Sequence, residues 1–119
     1  MKKRIEAFKH AFRGIGTGFR TELHMRVHAV ISVVTALAGW YLEIDKTDWM
    51  IVLLCMALVL SAELFNAAIE RLADRITKEN DALIGAAKDL AAGAVLISAI
   101  VSLTLGIIIF LPRIWLLIS

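Results

Sequence analysis

The stretch from Leu90 to Phe110 holds no charged residue, and that run decides what solvent the chain folds in. A helix rises about 1.5 Å per residue, so roughly 20 apolar residues match the ~30 Å hydrocarbon core of a bilayer. Within lipid the backbone must satisfy its own hydrogen bonds, so a run of this kind spans as a helix. Two more apolar runs precede it, one from about Val27 to Leu42 and one beginning at Trp49. The first is short and is expected to begin a turn or more earlier, near Glu22. The expected spans are therefore about 22–42, 49–75 and 88–111, the last ended by Pro112. Of the 119 residues 60% are hydrophobic, with mean hydropathy +0.79; soluble domains carry about 45–50%. The chain reads as a single all-α integral-membrane domain, 1–119, too small to enclose a large pocket alone, which favours sites shared between subunits.

Charge gives the orientation. Lys2, Lys3, Arg4, Lys9, Arg13, Arg20 and Arg26 precede or edge the first run, and Arg71, Arg75, Lys78 and Lys88 fill the connection between the second and third. Between the first two runs stands only Lys46, among Glu43, Asp45 and Asp48. The positive-inside rule then predicts a cytoplasmic N-terminus and a cytoplasmic 71–88 connection in a multi-pass membrane protein, with Arg113 discordant at the outer face. Trp40, Tyr41 and Trp49 form the expected outer aromatic belt. No cleavable signal peptide is expected, and lone Cys55 reads as a small packing residue.

Residues 2–20 read as an amphipathic surface helix. Ile5, Phe8, Phe12, Ile15 and Phe19 recur at helical spacing among cations, a pattern suited to the headgroup region. Gly14, Gly16 and Gly18 lack the strand and the Gly-Lys-Ser/Thr of a phosphate loop, and are expected to break this helix from the first span.

The second run carries the chemistry. Glu63 lies deep in it, with Asn66, Glu70 and Asp74 following at offsets that return to one helical face. A carboxylate at the centre of a span costs roughly 2.5–3.5 kcal/mol on insertion scales, which marks Glu63 as functional. Glu22 and Arg26 stand at the same mouth, and Lys88-Asp89 are expected to open the third span. Carboxylates favour Mg²⁺ shared with substrate phosphates, lysine binds phosphate oxygens, and an acidic group can take an alcohol proton. Such parts suit phosphoryl transfer at a lipid–water boundary. Taken singly, Glu70 and Asp74 also read as solvated groups paired with Arg71 or Arg75, and Lys88-Asp89 as a plain helix start. His24 and His28, four apart, read as interfacial or packing residues in the absence of a third ligand.

The segment Ala62-Glu-Leu-Phe-Asn-Ala-Ala-Ile-Glu-Arg-Leu-Ala-Asp-Arg75, followed by Ala87-Lys-Asp-Leu-Ala-Ala-Gly-Ala-Val95, resembles the signature of the small prokaryotic diacylglycerol kinase family. The resemblance covers essentially the whole chain. It implies a homotrimer of three-span subunits, each with a surface helix, that uses MgATP to phosphorylate a membrane lipid alcohol. By position, Glu63 would be the catalytic base and Asn66 its support, while Glu22 and Glu70 would hold the metal on the ATP phosphates. Lys3, His10, Glu79, Asp81, Lys88 and Asp89 would contact nucleotide. His10 departs from the tyrosine often found in its place, and Asn80-Asp81 from Tyr-His. His24-Met-Arg-Val-His28 and Lys88 to Val95 look more like the undecaprenol kinase branch than the diacylglycerol kinase branch.

Two other classes compete. An ion- or proton-conducting bundle would use Glu63 and Glu70 as relays, but needs polar groups across the whole membrane, which the outer halves of the runs lack. An accessory subunit without chemistry leaves Glu63 unexplained. No feature points to nucleic acid.

Overall fold

A computed structural model describes residues 1–119 as four helices: α1 (Lys2–Thr21), α2 (Leu23–Tyr41), α3 (Lys46–Ile76) and α4 (Ala82–Ile118). There is no strand. The last three helices are long and apolar enough to cross a membrane. With 31 and 37 residues, α3 and α4 extend about 46 and 56 Å at 1.5 Å per residue, so both outrun a ~30 Å core. The added length of α4 comes at both ends. Asp81 starts it, accepting hydrogen bonds from the Leu83 and Ile84 N–H groups at 3.0 Å each, so Lys88 and Asp89 lie inside the helix rather than opening it.

Nor does Pro112 end α4, which continues to Ile118. A proline forfeits one helical hydrogen bond, but its fixed φ is helical, and close to the terminus that loss is tolerated here. The adjacent Arg113 also ties this end down, its Nη2 lying 2.9 Å from Asp48 Oδ2 and 3.8 Å from Asp45 Oδ2. The discordant cation is thus matched by the acidic turn between α2 and α3.

That turn is tightly specified. The Ile44 N–H donates to the Gly39 carbonyl and the Glu43 N–H to the Trp40 carbonyl, at 3.1 and 3.3 Å, the pairing of a Schellman motif. Glu43 takes the left-handed position, φ 53°. Ile44 folds back over Gly39, where an added Cβ would stand 3.0 Å from Ile44 Cδ1 and from the Trp49 ring. Asp45 then caps α3 by accepting from the Asp48 N–H at 2.9 Å. Ile44, Val52 and Ile109 form the small core beneath.

The glycines of α1 do not break it. An added Cβ at Gly14 or Gly16 meets nothing within 4 Å, and α1 runs on as helix through both. No packing demand forces the backbone out of helix there, so the modest helical penalty of glycine is absorbed. The break is the single residue Glu22, extended at φ −106° and ψ 114°. Arg26 Nη1 reaches back 3.3 Å to the Arg20 carbonyl and helps close the corner. Gly18 serves contact instead: a Cβ there would stand 2.7 Å from Leu64 Cδ2, so its absence lets the end of α1 settle on α3.

Antiparallel α3 and α4 make the main interface. Val52, Val59, Glu63 and Ala73 are buried on one, Ala91, Ser98 and Ile109 on the other. Ala73, Ala91 and Ser98 are small, which lets the backbones approach at this seam. Helix α2 leans against α3 and leaves an apolar groove of about 530 Å³ between α2, α3 and α4. The molecule is a slab of 56 × 41 × 21 Å with 11 of 119 residues buried. Apolar surface on that scale requires lipid or further protein to cover it. Most of α1 stands clear of the bundle, with Ile5, Phe8 and Phe12 exposed.

Candidate active site

Glu63 is the one buried charged residue, 6% exposed. It projects from the middle of α3 where α2 crosses. Fully enclosed Met25 and the Gly18–Leu64 contact close this region. A buried carboxylate needs a hydrogen-bonding partner, and here it is His28 of α2, whose Nε2 lies 3.2 Å from Glu63 Oε1. One turn along α3, Asn66 Oδ1 is buried with no partner in the protein. Buried amide oxygens are seldom left unpaired, so Asn66 is free to take a hydrogen bond from a bound group.

Beyond Asn66 the end of α3 enters a charged rim with two ties. Arg71 Nη2 sits 2.6 Å from Thr21 Oγ1 and 3.3 Å from Glu22 Oε1, fastening the α1–α2 corner to α3. Lys88 Nζ sits 2.7 Å from Asp74 Oδ1, fastening α4 to α3. Asp74 is therefore bound across helices, not to Arg71 or Arg75 within its own. Glu70 is close enough for its charge to act on Lys88, yet forms no hydrogen bond or ion pair.

The expected site residues divide accordingly. Glu63 and Asn66 share the buried level, and Glu22, Glu70 and Lys88 share the rim. Asp89 is exposed on α4, and Glu79 is exposed in a turn where its N–H donates to Thr77 Oγ1 at 3.0 Å. Asp81 spends Oδ1 on the α4 cap. Lys3 and His10 lie on the exposed part of α1 and touch none of the others by hydrogen bond. No three acidic, histidine or cysteine side chains converge within the chain. Unpartnered Glu70 and half-buried Glu22 still fit Mg²⁺, which commonly takes one or two carboxylates and completes its shell with water and phosphate.

His28 is the residue that the sequence reading misplaces. Read as interfacial or packing, it lies instead against Glu63. Their separation of 35 residues and the rotation of α2 against α3 leave no local signature of the pairing. The polar constellation stops at Glu63. Beyond it the groove is lined mainly by apolar side chains, with Ser32, Thr35 and Ser102 as scattered hydroxyls.

Residues 9–110 match the family model described as prokaryotic diacylglycerol kinase. The chain is 40% identical over 109 residues to an undecaprenol kinase of Bacillus subtilis, covering 92% of this chain and 89% of that one. It is 31% identical over 98 residues to a diacylglycerol kinase of Escherichia coli K12, covering 82% and 80%. A diacylglycerol kinase of Synechocystis is 31% identical over 109 residues, covering 91% of this chain and 62% of the relative. A match across most of the chain, on a three-span helical frame with a buried carboxylate above a charged rim, makes this protein an enzyme, a bacterial membrane lipid kinase of the prokaryotic diacylglycerol kinase family.

Proposed function

We propose that the enzyme transfers the γ-phosphate of ATP to the hydroxyl of undecaprenol at the cytoplasmic face of the membrane. The observation that carries this reading is Glu63, a carboxylate buried midway along the apolar helix α3, two turns from the charged rim. The lipid hydroxyl oxygen attacks the γ-phosphorus, Glu63 takes its proton, and the bond from phosphorus to the ADP oxygen breaks. Asn66, one turn from the base, supports the site. Lys88 neutralises phosphate charge, and Glu79, Asp81, Asp89, Lys3 and His10 border the nucleotide. Glu22 and Glu70 hold Mg²⁺, whose contribution when bound is to neutralise charge on the phosphate oxygens. Placing the base and rim on one side favours a reaction between an amphiphile and a soluble nucleotide, since positioning and charge neutralisation supply most of the catalysis.

Undecaprenol is preferred because the kinase bearing that name is the more similar of the relatives compared, at 40% against 31%. Diacylglycerol is the second reading, favoured by the names of the other relatives. The basic N-terminus, with Arg71, Arg75, Lys78 and Lys88 in and around the α3–α4 connection, supports a cytoplasmic rim under the positive-inside rule. Helix α1 lies in the headgroup layer, with Ile5, Phe8 and Phe12 toward lipid. Three subunits cover one another's exposed faces and complete the site. Glu63→Gln tests the base: turnover falls roughly 10²- to 10⁴-fold, with MgATP affinity preserved. Turnover close to that of the unmodified enzyme removes Glu63 from the role.

A further inference from the structure

The groove and the buried carboxylate meet at His28. Its ring lines the groove beside Ile31 and Val59 and places Nε2 3.2 Å from Glu63 Oε1. The side chain is 23% exposed and that of Glu63 7%, so the bond is largely shielded from competing water. An ionised carboxylate only accepts hydrogen bonds. When Glu63 is ionised, Nε2 of His28 therefore carries the proton and donates. Glu63 Oε2 has no partner in the protein.

We propose that His28 is the positioning residue of the base. Its Nε2–H holds Oε1 and turns the carboxylate so that Oε2 faces the incoming lipid hydroxyl. The inference rests on the reading of Glu63 as base. Two features carry it beyond packing. A carboxylate on a flexible three-torsion side chain has no other polar anchor here, since His28 is its only hydrogen-bond partner. The ring also bounds the groove, so the restrained carboxylate lies at the groove's polar end, where the head of a lipid chain would arrive. In surroundings of low polarity a hydrogen bond to a charged group is strong and directional. His28 need not touch the reacting atoms; it acts through Glu63.

The test compares His28→Phe, His28→Asn and His28→Gln with Glu63→Gln, using labelled ATP, undecaprenol and diacylglycerol in detergent micelles. Phe keeps the ring's bulk without a donor. Gln keeps an N–H donor of comparable reach, while Asn holds its donor one carbon short. With His28→Phe and His28→Asn, kcat is expected to fall roughly ten- to a hundredfold, as for losing a partner that orients a charged ligand. The KM for MgATP stays within about twofold, because the rim is untouched. His28→Gln is expected to return kcat to within about fivefold of the unmodified enzyme. The inference is overturned if Gln rescues no better than Asn, if His28→Phe keeps full kcat, or if nucleotide affinity falls in step with kcat. If Glu63→Gln itself turns over normally, the reading of the base fails, and that result is distinct from failure of the His28 assignment alone. Should His28→Phe not yield folded protein, the Asn–Gln comparison carries the same decision.

Discussion

Arg71→Ala gives the sharpest test of how the corner at Glu22 is held. Arg71 is its only side-chain hydrogen-bond tie to α3, through Thr21 Oγ1 at 2.6 Å and Glu22 Oε1 at 3.3 Å. Its side chain is 53% exposed and that of Glu22 32%, so solvent screens the charge pair. Exposed pairs contribute about 0–1 kcal/mol, and the added hydroxyl contact brings the total to about 1 kcal/mol. On the proposed ligand set, Glu22 without this tie must be ordered again each time metal binds. About 1 kcal/mol corresponds to roughly a fivefold change in an equilibrium constant. The Mg²⁺ concentration giving half-maximal activity is therefore expected to rise about fivefold, with kcat at saturating Mg²⁺ within about twofold. The control is Arg75→Ala, one turn on, where the arginine has no hydrogen bond or ion pair. The assay is initial rate against free Mg²⁺ at fixed ATP for both variants. An Arg71→Ala curve that overlays the unmodified one, or an equal shift for Arg75→Ala, refutes the link between the corner and the proposed metal carboxylates.

Other variants probe the fold and the rim. Glu43→Gly should raise resistance to thermal unfolding in micelles by about 0.5–1 kcal/mol, because glycine removes the left-handed penalty and returns part of it as chain entropy; unchanged or lower stability contradicts the turn assignment. Gly18→Val should lower activity by displacing Leu64, next to Glu63, while Gly14→Val, facing open space, should not; equal effects would deny the contact its meaning. Asp74→Asn should leave the α3–α4 frame intact and change the KM for MgATP more than kcat, because it releases Lys88; an unchanged KM would remove the pair from the nucleotide side.

Much of this architecture is legible in the sequence because lipid imposes simple rules. The uncharged run ending in Phe110 leaves helix as the solution, and Glu63 stands out because its neighbours are apolar. The helix starts are less legible: counting apolar residues opens the third span at Lys88, whereas the short Asp81 acceptor takes the free N–H groups of Leu83 and Ile84 and starts α4 at Ala82. Other features depend on what lies across a helix interface. Gly14 and Gly16 look like breakers, yet nothing near them demands a break, and the chain bends at Glu22. Pro112 looks like a terminus, yet Arg113 finds Asp48 and α4 goes on. The Glu63–His28 contact joins two helices whose relative rotation no local pattern encodes. Asp74, read within its own helix, pairs with Arg71 or Arg75; the α3–α4 hairpin brings Lys88 to it instead.

Whether this chain phosphorylates a lipid alcohol is decided by offering it the alcohol. Purified protein in mixed micelles, with Mg²⁺ and labelled ATP, is given undecaprenol and diacylglycerol in parallel. Label is expected on undecaprenol, well above any on diacylglycerol, and is expected to be lost in Glu63→Gln. Label on diacylglycerol alone would overturn undecaprenol as the substrate, and label on neither lipid, from folded protein that binds MgATP, would overturn the assignment of lipid kinase activity.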